Sequence, residues 1–225
     1  MIWTVRRVVT GHTPEGKSTF IMDSPARNVM EMKSMPGLAL TDLWETASAP
    51  ARNEGISDAA ARPVRLEPPP RGTILRIVEF PPDSAWRGGA DAREAFESIQ
   101  AGHARDASSS DPMMHRTNTV DYIIVLRGEI HAIMDTGDTL LRPGDVLIQR
   151  GTIHSWSVRG TEPCIIAAIL VSADPIGKVG KRAAKRSAKR EAKRAIRAPT
   201  KKPARKTKKS PARPAKRSRK TARHR

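Results

Sequence analysis

Three residues in the second half of the chain have the types and spacing of metal ligands. His115 and Asp121 lie in "HRTNTVDYIIVLRG" at an even offset, so an extended strand directs both side chains to one face. His154 follows in "RPGDVLIQRGTIHSW", just beyond a predicted strand and a glycine turn. If the two strands pair, two neutral imidazoles and a carboxylate converge. That set suits a divalent ion, whether Fe, Mn, Zn, Ni or Cu, and leaves positions open for water or substrate.

The same strand face predicts what surrounds these ligands. Thr117 shares the parity of His115, and its hydroxyl would hold a metal-bound water or the substrate. Ile123 and Val125 continue that face and would form an apolar pocket lining, while Trp156 shares the parity of His154 and is a further candidate for the lining. An apolar interior is a generic site for a small molecule, so the residues leave the identity of the ligand open.

Short strands separated by turns must position these side chains. The strand candidates between residues 73 and 174 are "TILRIVEF", "VDYIIVLRG", "EIHAIMDTGDTLL", "DVLIQ", "HSWSV" and "CIIAAILVSA". Closely spaced strands without helices between them are typical of an antiparallel sandwich or barrel. The predicted fold class is therefore all-β.

Composition divides the chain into three parts. Residues 1–72 contain a predicted hairpin, "WTVRRVV" and "STFIMD" around "TGHTPEGK", and then a segment rich in Pro, Ala and Met in which only "ALTDLWETA" looks ordered. Residues 73–174 form the predicted barrel. They include an insertion over residues 83–112 that carries a short helix in "DAREAFESIQAGHA". Residues 175–225 form a basic tail.

The two motif regions resemble a small single-domain cupin. Cupins have a first motif G-x5-H-x-H-x3,4-E-x6-G and a second motif G-x5-P-x-G-x2-H-x3-N. The matching positions are His115, Thr117, Asp121 and Gly128 in the first motif, and Gly144, Gly151 and His154 in the second. The resemblance covers roughly residues 73–172 and implies a double-stranded β-helix, the jelly-roll barrel, with the N-terminal strands packed on it.

The chain departs from both motifs. The opening glycine of the first is missing. The second is one residue shorter before its inner glycine, Gln149 or Arg150 replaces its proline, and Val158 stands where asparagine is usual. These departures leave the fold prediction intact, because the two motifs still occur in the right order and at the right separation.

Two substitutions fall on the ligand positions themselves. Metal cupins use three His and one Glu, and here Thr117 replaces the second His while Asp121 replaces the Glu. Threonine is a poor ligand because its hydroxyl stays protonated near neutral pH, and aspartate reaches less far by one methylene. Two alternatives stay open: a metal site of His115, Asp121 and His154, or a vestigial site in which His115 and Asp121 only hydrogen-bond each other.

Two functional hypotheses follow from the resemblance. The first is a metal-dependent dioxygenase or isomerase of unknown substrate. The second is a non-catalytic cupin that binds a small molecule while the tail tethers it to nucleic acid.

The tail carries the positive charge of the chain. Residues 177–225 contain 23 Lys and Arg against one acidic residue, Glu191, whereas the remaining residues contain 18 basic and 22 acidic side chains. A repeated tetrad places basic pairs at Lys181, Arg182, Lys185, Arg186, Lys189, Arg190, Lys193 and Arg194. Such a segment cannot bury a core, so we expect disorder and non-specific nucleic-acid binding. A solvated tail that aids solubility and attraction to anionic lipid are the alternatives.

Other features limit location and assembly. No apolar run is long enough for a spanning helix, Arg6 and Arg7 interrupt any secretory signal, and the single cysteine, Cys164, excludes an intrachain disulfide. We therefore expect a cytoplasmic protein, associated with the nucleoid, or nuclear in a eukaryote. A homodimer through the sheets is an expectation from the resemblance, and N-terminal strands that cap the sheet edge within one chain are the alternative.

Overall fold

A computed structural model describes residues 2–177, and these residues fold mainly into β-strands. The strands are β1 (Arg6–His12), β2 (Ser18–Pro25), β3 (Val29–Glu31), β4 (Ala39–Thr46), β5 (Thr73–Phe80), β6 (Thr119–Arg127), β7 (Ile130–Met134), β8 (Gly137–Leu141), β9 (Val146–Arg150), β10 (Ser155–Ser157) and β11 (Cys164–Ser172). A turn of 3-10 helix (Asp83–Ala85) and the helix α1 (Ala92–Ser98) lie between β5 and β6. The predicted all-β class is confirmed.

Two antiparallel sheets enclose one core. The larger has the strand order β3-β4-β5-β11-β6-β9, and the smaller has the order β10-β7-β8. Buried side chains from both sheets, among them Val125 of β6 and Ile130 of β7, belong to a single apolar cluster. The two sheets therefore close into the jelly-roll barrel that the motifs predict.

The apolar run of β11 is explained by its central place in the larger sheet. Cys164–Ser172 pairs with β5 on one side and with β6 on the other. Such a strand has its backbone hydrogen bonds satisfied on both edges, and apolar side chains on both faces add to the buried area. Cys164 itself is fully buried, and burial raises the pKa of its thiol to about 12, as suits a core residue.

The N-terminal region contributes a hairpin and two strands of the larger sheet. β1 and β2 pair around the turn Thr13–Lys17, where Gly16 has a φ of 77°, so the predicted hairpin is present. β3 and β4 lie in the segment for which the sequence predicted only partial order. β4 pairs with β5 across the boundary predicted at residue 72 and continues the sheet. The boundary itself stays a prediction.

The insertion between β5 and β6 packs against the core. The Asp91 carboxylate accepts a hydrogen bond from the Glu94 backbone N–H at 3.0 Å and caps α1. Ala95 and Phe96 on this helix are buried in the apolar cluster. The predicted short helix is thus present, and its buried face packs against the apolar core.

The outer face of β6 and β9 carries exposed apolar side chains. Tyr122 and Leu126 of β6 and Val146 and Ile148 of β9 are all exposed, and β9 ends the sheet. The homodimer expected from the sequence would be sought on this face, and it stays a prediction. Within residues 2–177 the structure has no helix that is long and apolar enough to cross a membrane. The cellular location also stays a prediction.

Candidate functional site

The two candidate histidines are brought together by their backbones. His115 and His154 form a reciprocal pair in which each backbone N–H donates to the carbonyl of the other at 2.9 Å. Their rings lie side by side, with centroids 4.1 Å apart. Both side chains are buried, at 9% and 3% exposure. The predicted convergence of these two imidazoles therefore exists in the folded chain.

Backbone carbonyls select one tautomer of each histidine. Nδ1 of His115 lies 2.9 Å from the carbonyl oxygen of Met113, and Nδ1 of His154 lies 3.0 Å from that of Thr152. A carbonyl oxygen can only accept, so Nδ1 is the protonated nitrogen in both rings. Each Nε2 consequently carries a lone pair, which is the arrangement that metal-binding histidines use.

A glutamine joins the aspartate to one of these histidines. Asp121 on β6 lies opposite Gln149 on β9 in the strand register. The Gln149 amide Nε2 donates to Asp121 Oδ2 at 3.1 Å and to His154 Nε2 at 2.9 Å. Both partners are acceptors, so the amide nitrogen, not its oxygen, must face them. Asp121 therefore reaches His154 through Gln149, and the direct bond between His115 and Asp121 considered from the sequence is not formed.

Burial shifts the proton affinities of all three titratable groups. Burial raises the pKa of Asp121 to about 6, although the Thr119 hydroxyl, the Gln149 amide and the Arg76 charge oppose the shift. Burial lowers the pKa of His115. Burial, together with repulsion between the two imidazoles when both are protonated, places the pKa of His154 well below its usual value. Both imidazoles are therefore neutral near pH 7, and Asp121 can exchange a proton close to that pH.

These groups form the polar end of an apolar cavity of about 120 Å³. That volume exceeds the space of one water molecule several times and suits a small organic molecule. The predicted pocket residues Thr117, Ile123 and Trp156 line it, and Ile166 and Leu170 of β11 lie in its wall. Val125 does not line the cavity but packs in the core at 1% exposure.

Rings and thioethers stand beside aliphatic side chains in the rest of the wall. A chain of ring contacts runs from Phe96 to His115 (5.0 Å between centroids), to His154 (4.1 Å), to Trp156 (5.8 Å) and to Phe80 (6.0 Å). Three methionines also line the cavity: Met32, Met35 and Met113. Aromatic and Met side chains together give a polarisable surface that adapts to an apolar ligand.

A second polar cluster lies in the same wall. Arg76 on β5 lines the cavity, and its Nε lies 3.0 Å from Oδ1 of Asp42 on β4. The other oxygen of Asp42 accepts from Arg62 at 2.9 Å, and the carbonyl of Arg65 accepts from Arg76 Nη2 at 2.5 Å. Arg62 and Arg65 also pair with the carboxylate of Glu45. This cluster ties the irregular segment after β4 to the sheet.

The side chains present do not fit a metal ion as they are arranged. No group of three His, Cys, Asp or Glu side chains that could hold a metal occurs in residues 2–177. The Gln149 amide takes the lone pair of His154, and the Thr117 hydroxyl is bound to the Thr119 hydroxyl at 2.6 Å. A metal would have to displace the amide. The predicted ligands therefore lie close together, but their donor atoms are not assembled around one point.

Sequence reasoning missed several residues of the site. From the sequence, Gln149 was considered only as a replacement for the motif proline. Pairing of its strand with the strand of Asp121 would have indicated that the two side chains lie opposite each other. Arg76 carried the signal of a charged residue inside an apolar strand. Met32, Met35 and Phe96 come from segments that lie far from the motifs in sequence, and no local pattern indicated that they would line the cavity.

The basic residues predicted to bind nucleic acid, Lys181 to Arg194, lie outside the described residues. Their predicted role in nucleic-acid binding therefore stays a prediction.

Comparison with known proteins places the chain in a family. Phomopsin biosynthesis cluster protein C' of Diaporthe leptostromiformis is 30% identical over 188 residues, which cover 79% of this chain and 84% of that protein. Cupin-domain-containing oxidoreductase virC of Hypocrea virens is 27% identical over 181 residues, which cover 77% and 78%. The chain belongs to the cupin family. The cupin membership that the two motifs indicate is thereby confirmed.

No family model matches the chain. Among solved structures, a putative ethanolamine utilization protein Q from Salmonella typhimurium aligns with the cupin chain at a TM-score of 0.37 and 10% identity, covering 76% of this chain and 99% of that one.

Proposed function

We propose that this cupin binds a small, largely apolar molecule in its cavity, with the polar group of that molecule at the end formed by His115, Asp121 and His154. The observation that carries the proposal is the composition of the cavity: aliphatic, aromatic and Met side chains line most of it, and a hydrogen-bonded set of polar side chains around Gln149 lies in its wall. Apolar surface supplies affinity, and a few placed polar groups fix orientation.

The binding test uses the full-length protein and a neutral apolar fluorophore, N-phenyl-naphthylamine. We expect saturable binding of one fluorophore per chain. Ala168 lines the cavity from β11 and is buried at 4% exposure, so Ala168→Leu places extra side-chain volume in that space and should weaken binding about tenfold or more. Ile148→Ala, on the exposed face of β9, is the matched control and should leave affinity unchanged. Equal affinity of the wild type and Ala168→Leu would contradict the proposal.

A metal-dependent dioxygenase or isomerase is the second candidate function. Two observations favour it: both histidines are held as the tautomer with the lone pair on Nε2, and several relatives are named cupin-domain-containing oxidoreductases. The bound ion would be Fe, Mn, Zn, Ni or Cu, held by His115, His154 and Asp121 after the Gln149 amide moves away.

Metal analysis of the purified protein decides between the two candidates. If the amide excludes metal, the wild type contains none, and Gln149→Ala gains binding that His154→Ala then removes. Stoichiometric metal in the wild type that is lost in His154→Ala would favour the second candidate. Titration with each of the five ions, followed by elemental analysis after dialysis, gives the readout without an activity assay.

We also propose that the basic tail associates with nucleic acid without sequence preference. Its support is the charge of residues 177–225, with 23 basic residues against one acidic residue and no aromatic side chain for base stacking. Full-length protein should shift any duplex in a gel at low salt, and the shift should disappear as salt rises.

A matched variant tests the tail without truncation. Replacing the eight basic residues of the tetrad repeat, Lys181 to Arg194, with Gln should reduce both the affinity and its salt dependence. Unchanged duplex binding by this variant and by a chain that lacks residues 177–225 would show that the tail does not bind nucleic acid. Binding to anionic vesicles but not to duplex would favour the lipid alternative.

A further inference from the structure

The polar end of the cavity holds two buried oxygen atoms that accept no hydrogen bond. Asp121 Oδ1 and Gln149 Oε1 have no partner of ordinary geometry among residues 2–177. Both side chains are about 97% buried, since their exposures are 3% and 3%, and both residues line the cavity. Unpaired buried acceptors are rare because each forfeits its hydrogen bonds to water on folding. These two oxygens therefore call for a donor from a bound molecule.

Most of the neighbouring donors are already engaged. Both donations of the Gln149 amide go to Asp121 and His154, and Nδ1 of His115 donates to a backbone carbonyl. The Thr117 hydroxyl is paired with that of Thr119, and the Thr119 hydroxyl also acts on the Asp121 carboxylate. Arg76 directs Nε to Asp42 and Nη2 to the Arg65 carbonyl. The polar end thus offers acceptors: two orphaned oxygens and the lone pair on His115 Nε2.

The charges around the cavity balance. Asp42 and Glu45 pair with the three guanidiniums Arg62, Arg65 and Arg76, and Asp121 supplies a third carboxylate whose charge acts on Arg76. Burial of a charged ligand group beside them would leave that charge uncompensated. A neutral donor avoids this cost.

We infer that the molecule bound by this cavity carries a neutral hydrogen-bond donor at its polar end, an alcohol hydroxyl, which donates to Asp121 Oδ1 or Gln149 Oε1. This inference rests on the proposed function and adds the chemical class of the ligand. A ketone or an ether at the same place brings only acceptors, so it leaves both orphaned oxygens unpaired and places its own oxygen against them. A site built to pair a hydroxyl discriminates against an analogue that lacks it.

A matched set of probes tests the inference by calorimetric titration of the full-length protein. The set is α-methylbenzyl alcohol, acetophenone and ethylbenzene, which share one ring and one carbon skeleton, with α-methylbenzylamine as the charged donor. We expect the alcohol to bind about tenfold or more tightly than each of the other three, the size expected for one buried hydrogen bond gained or left unmade.

Two variants keep the test specific to the polar end. Asp121→Asn preserves shape but can place an amide N–H where Oδ1 stood, so the preference for alcohol over ketone should fall to about twofold or less. Gln149→Met removes the other unpaired acceptor and should also reduce the preference for the alcohol over the ketone. Met35→Leu, which alters only the apolar wall, is the control and should retain the full preference for the alcohol over the ketone.

The outcomes separate this inference from the proposed function. Equal binding of alcohol, ketone and hydrocarbon would overturn the inference and leave small-molecule binding in place. Tighter binding of the ketone or the amine would overturn it as well. If N-phenyl-naphthylamine binds but none of the four probes does, the inference fails alone. If neither the fluorophore nor any of the four probes binds, the proposed function fails and the inference fails with it.

Discussion

Two polar clusters share the wall of one cavity, and they differ in how their buried groups are compensated. Around Arg76, the carboxylates and guanidiniums meet one another directly, and Asp42 is fully buried between two arginines. Around Asp121, a carboxylate and an imidazole meet only through the Gln149 amide, and two oxygens stay unpaired. The first arrangement stabilises the fold, whereas the second leaves hydrogen-bonding capacity for a ligand.

Strand order accounts for the separation of these clusters. Asp42 and Arg76 face each other on β4 and β5, and Asp121 and Gln149 face each other on β6 and β9. β11 lies between the two pairs and contributes apolar side chains such as Ala168 to the cavity. Compensated charge on one side and unpaired acceptors on the other therefore belong to the same sheet.

The largest expected effect comes from breaking the compensated cluster. Asp42→Ala leaves Arg76 buried without its carboxylate, so we expect the free energy of unfolding to fall by about 3–5 kcal/mol. Urea denaturation of the full-length variant measures this loss. A loss close to zero would show that Arg76 finds another partner and that the cluster does not hold β4 to β5.

The next effect concerns the pH dependence of the uncompensated cluster. The pKa of Asp121 is about 6 when folded, against 3.8 for an ordinary aspartate, so the folded protein binds the proton more tightly. Its contribution to stability is fully present below about pH 4 and is lost as pH rises through about 6, by up to about 3 kcal/mol in total.

Asp121→Asn isolates this contribution. The variant should lack that loss, so the stability difference between the wild type and the variant should shrink or change sign as pH rises from about 4 to 7. His115 and His154 act in the opposite sense, because their lowered pKa values cost stability as pH falls, but both proteins contain them. A stability difference that does not vary with pH would mean that Asp121 titrates normally.

A smaller effect is expected at the pair of hydroxyls formed by Thr117 and Thr119. Thr117→Val removes one partner of the 2.6 Å contact with Thr119 and should cost about 1 kcal/mol of unfolding free energy. Thr119→Ser, which keeps a hydroxyl, is the matched control and should retain the pair. A metal content that depends on Thr117 would contradict its assignment as a hydrogen-bonded wall residue.

The smallest effect is expected for a charge pair at the surface. Arg6 and Asp23 form two hydrogen bonds at 2.8 Å on the N-terminal hairpin, but both side chains are exposed to solvent. Water and salt screen such a pair, so Arg6→Ala should leave the midpoint of thermal unfolding unchanged within error. A clear fall in that midpoint would place the hairpin within the cooperative core.

Much of the fold was accessible from local sequence. The alternation in "TILRIVEF" and the apolar run of Cys164–Ser172 predicted β5 and β11, and parity alone placed His115, Thr117 and Asp121 on the buried face. These predictions succeeded because side-chain alternation in a strand is a local property of the backbone. β3 was missed because it lies in a segment rich in Pro, Ala and Met that sustains no period.

The site was less accessible, for a physical reason. The sequence brought His115 and His154 together, but the acceptors and donors of a buried side chain are decided by its neighbours across strands. Gln149 occupies the place of a motif proline, and only the pairing of β9 with β6 sets its amide between Asp121 and His154. Val125 has the parity of a pocket residue, yet it packs in the core away from the cavity.

The sequence by itself determined the all-β class, the two cupin motifs, the shared face of the candidate ligands and the division between an acidic body and a basic tail. These follow from periodicity, spacing and charge, which need no knowledge of distant neighbours. Only the tertiary structure decided that the cavity wall draws on β4, α1 and the segments around them, that Arg76 is compensated, and that Asp121 and Gln149 keep unpaired oxygens. Each of these depends on contacts between residues far apart in the chain, because a buried polar group takes its chemistry from whichever groups the fold packs against it.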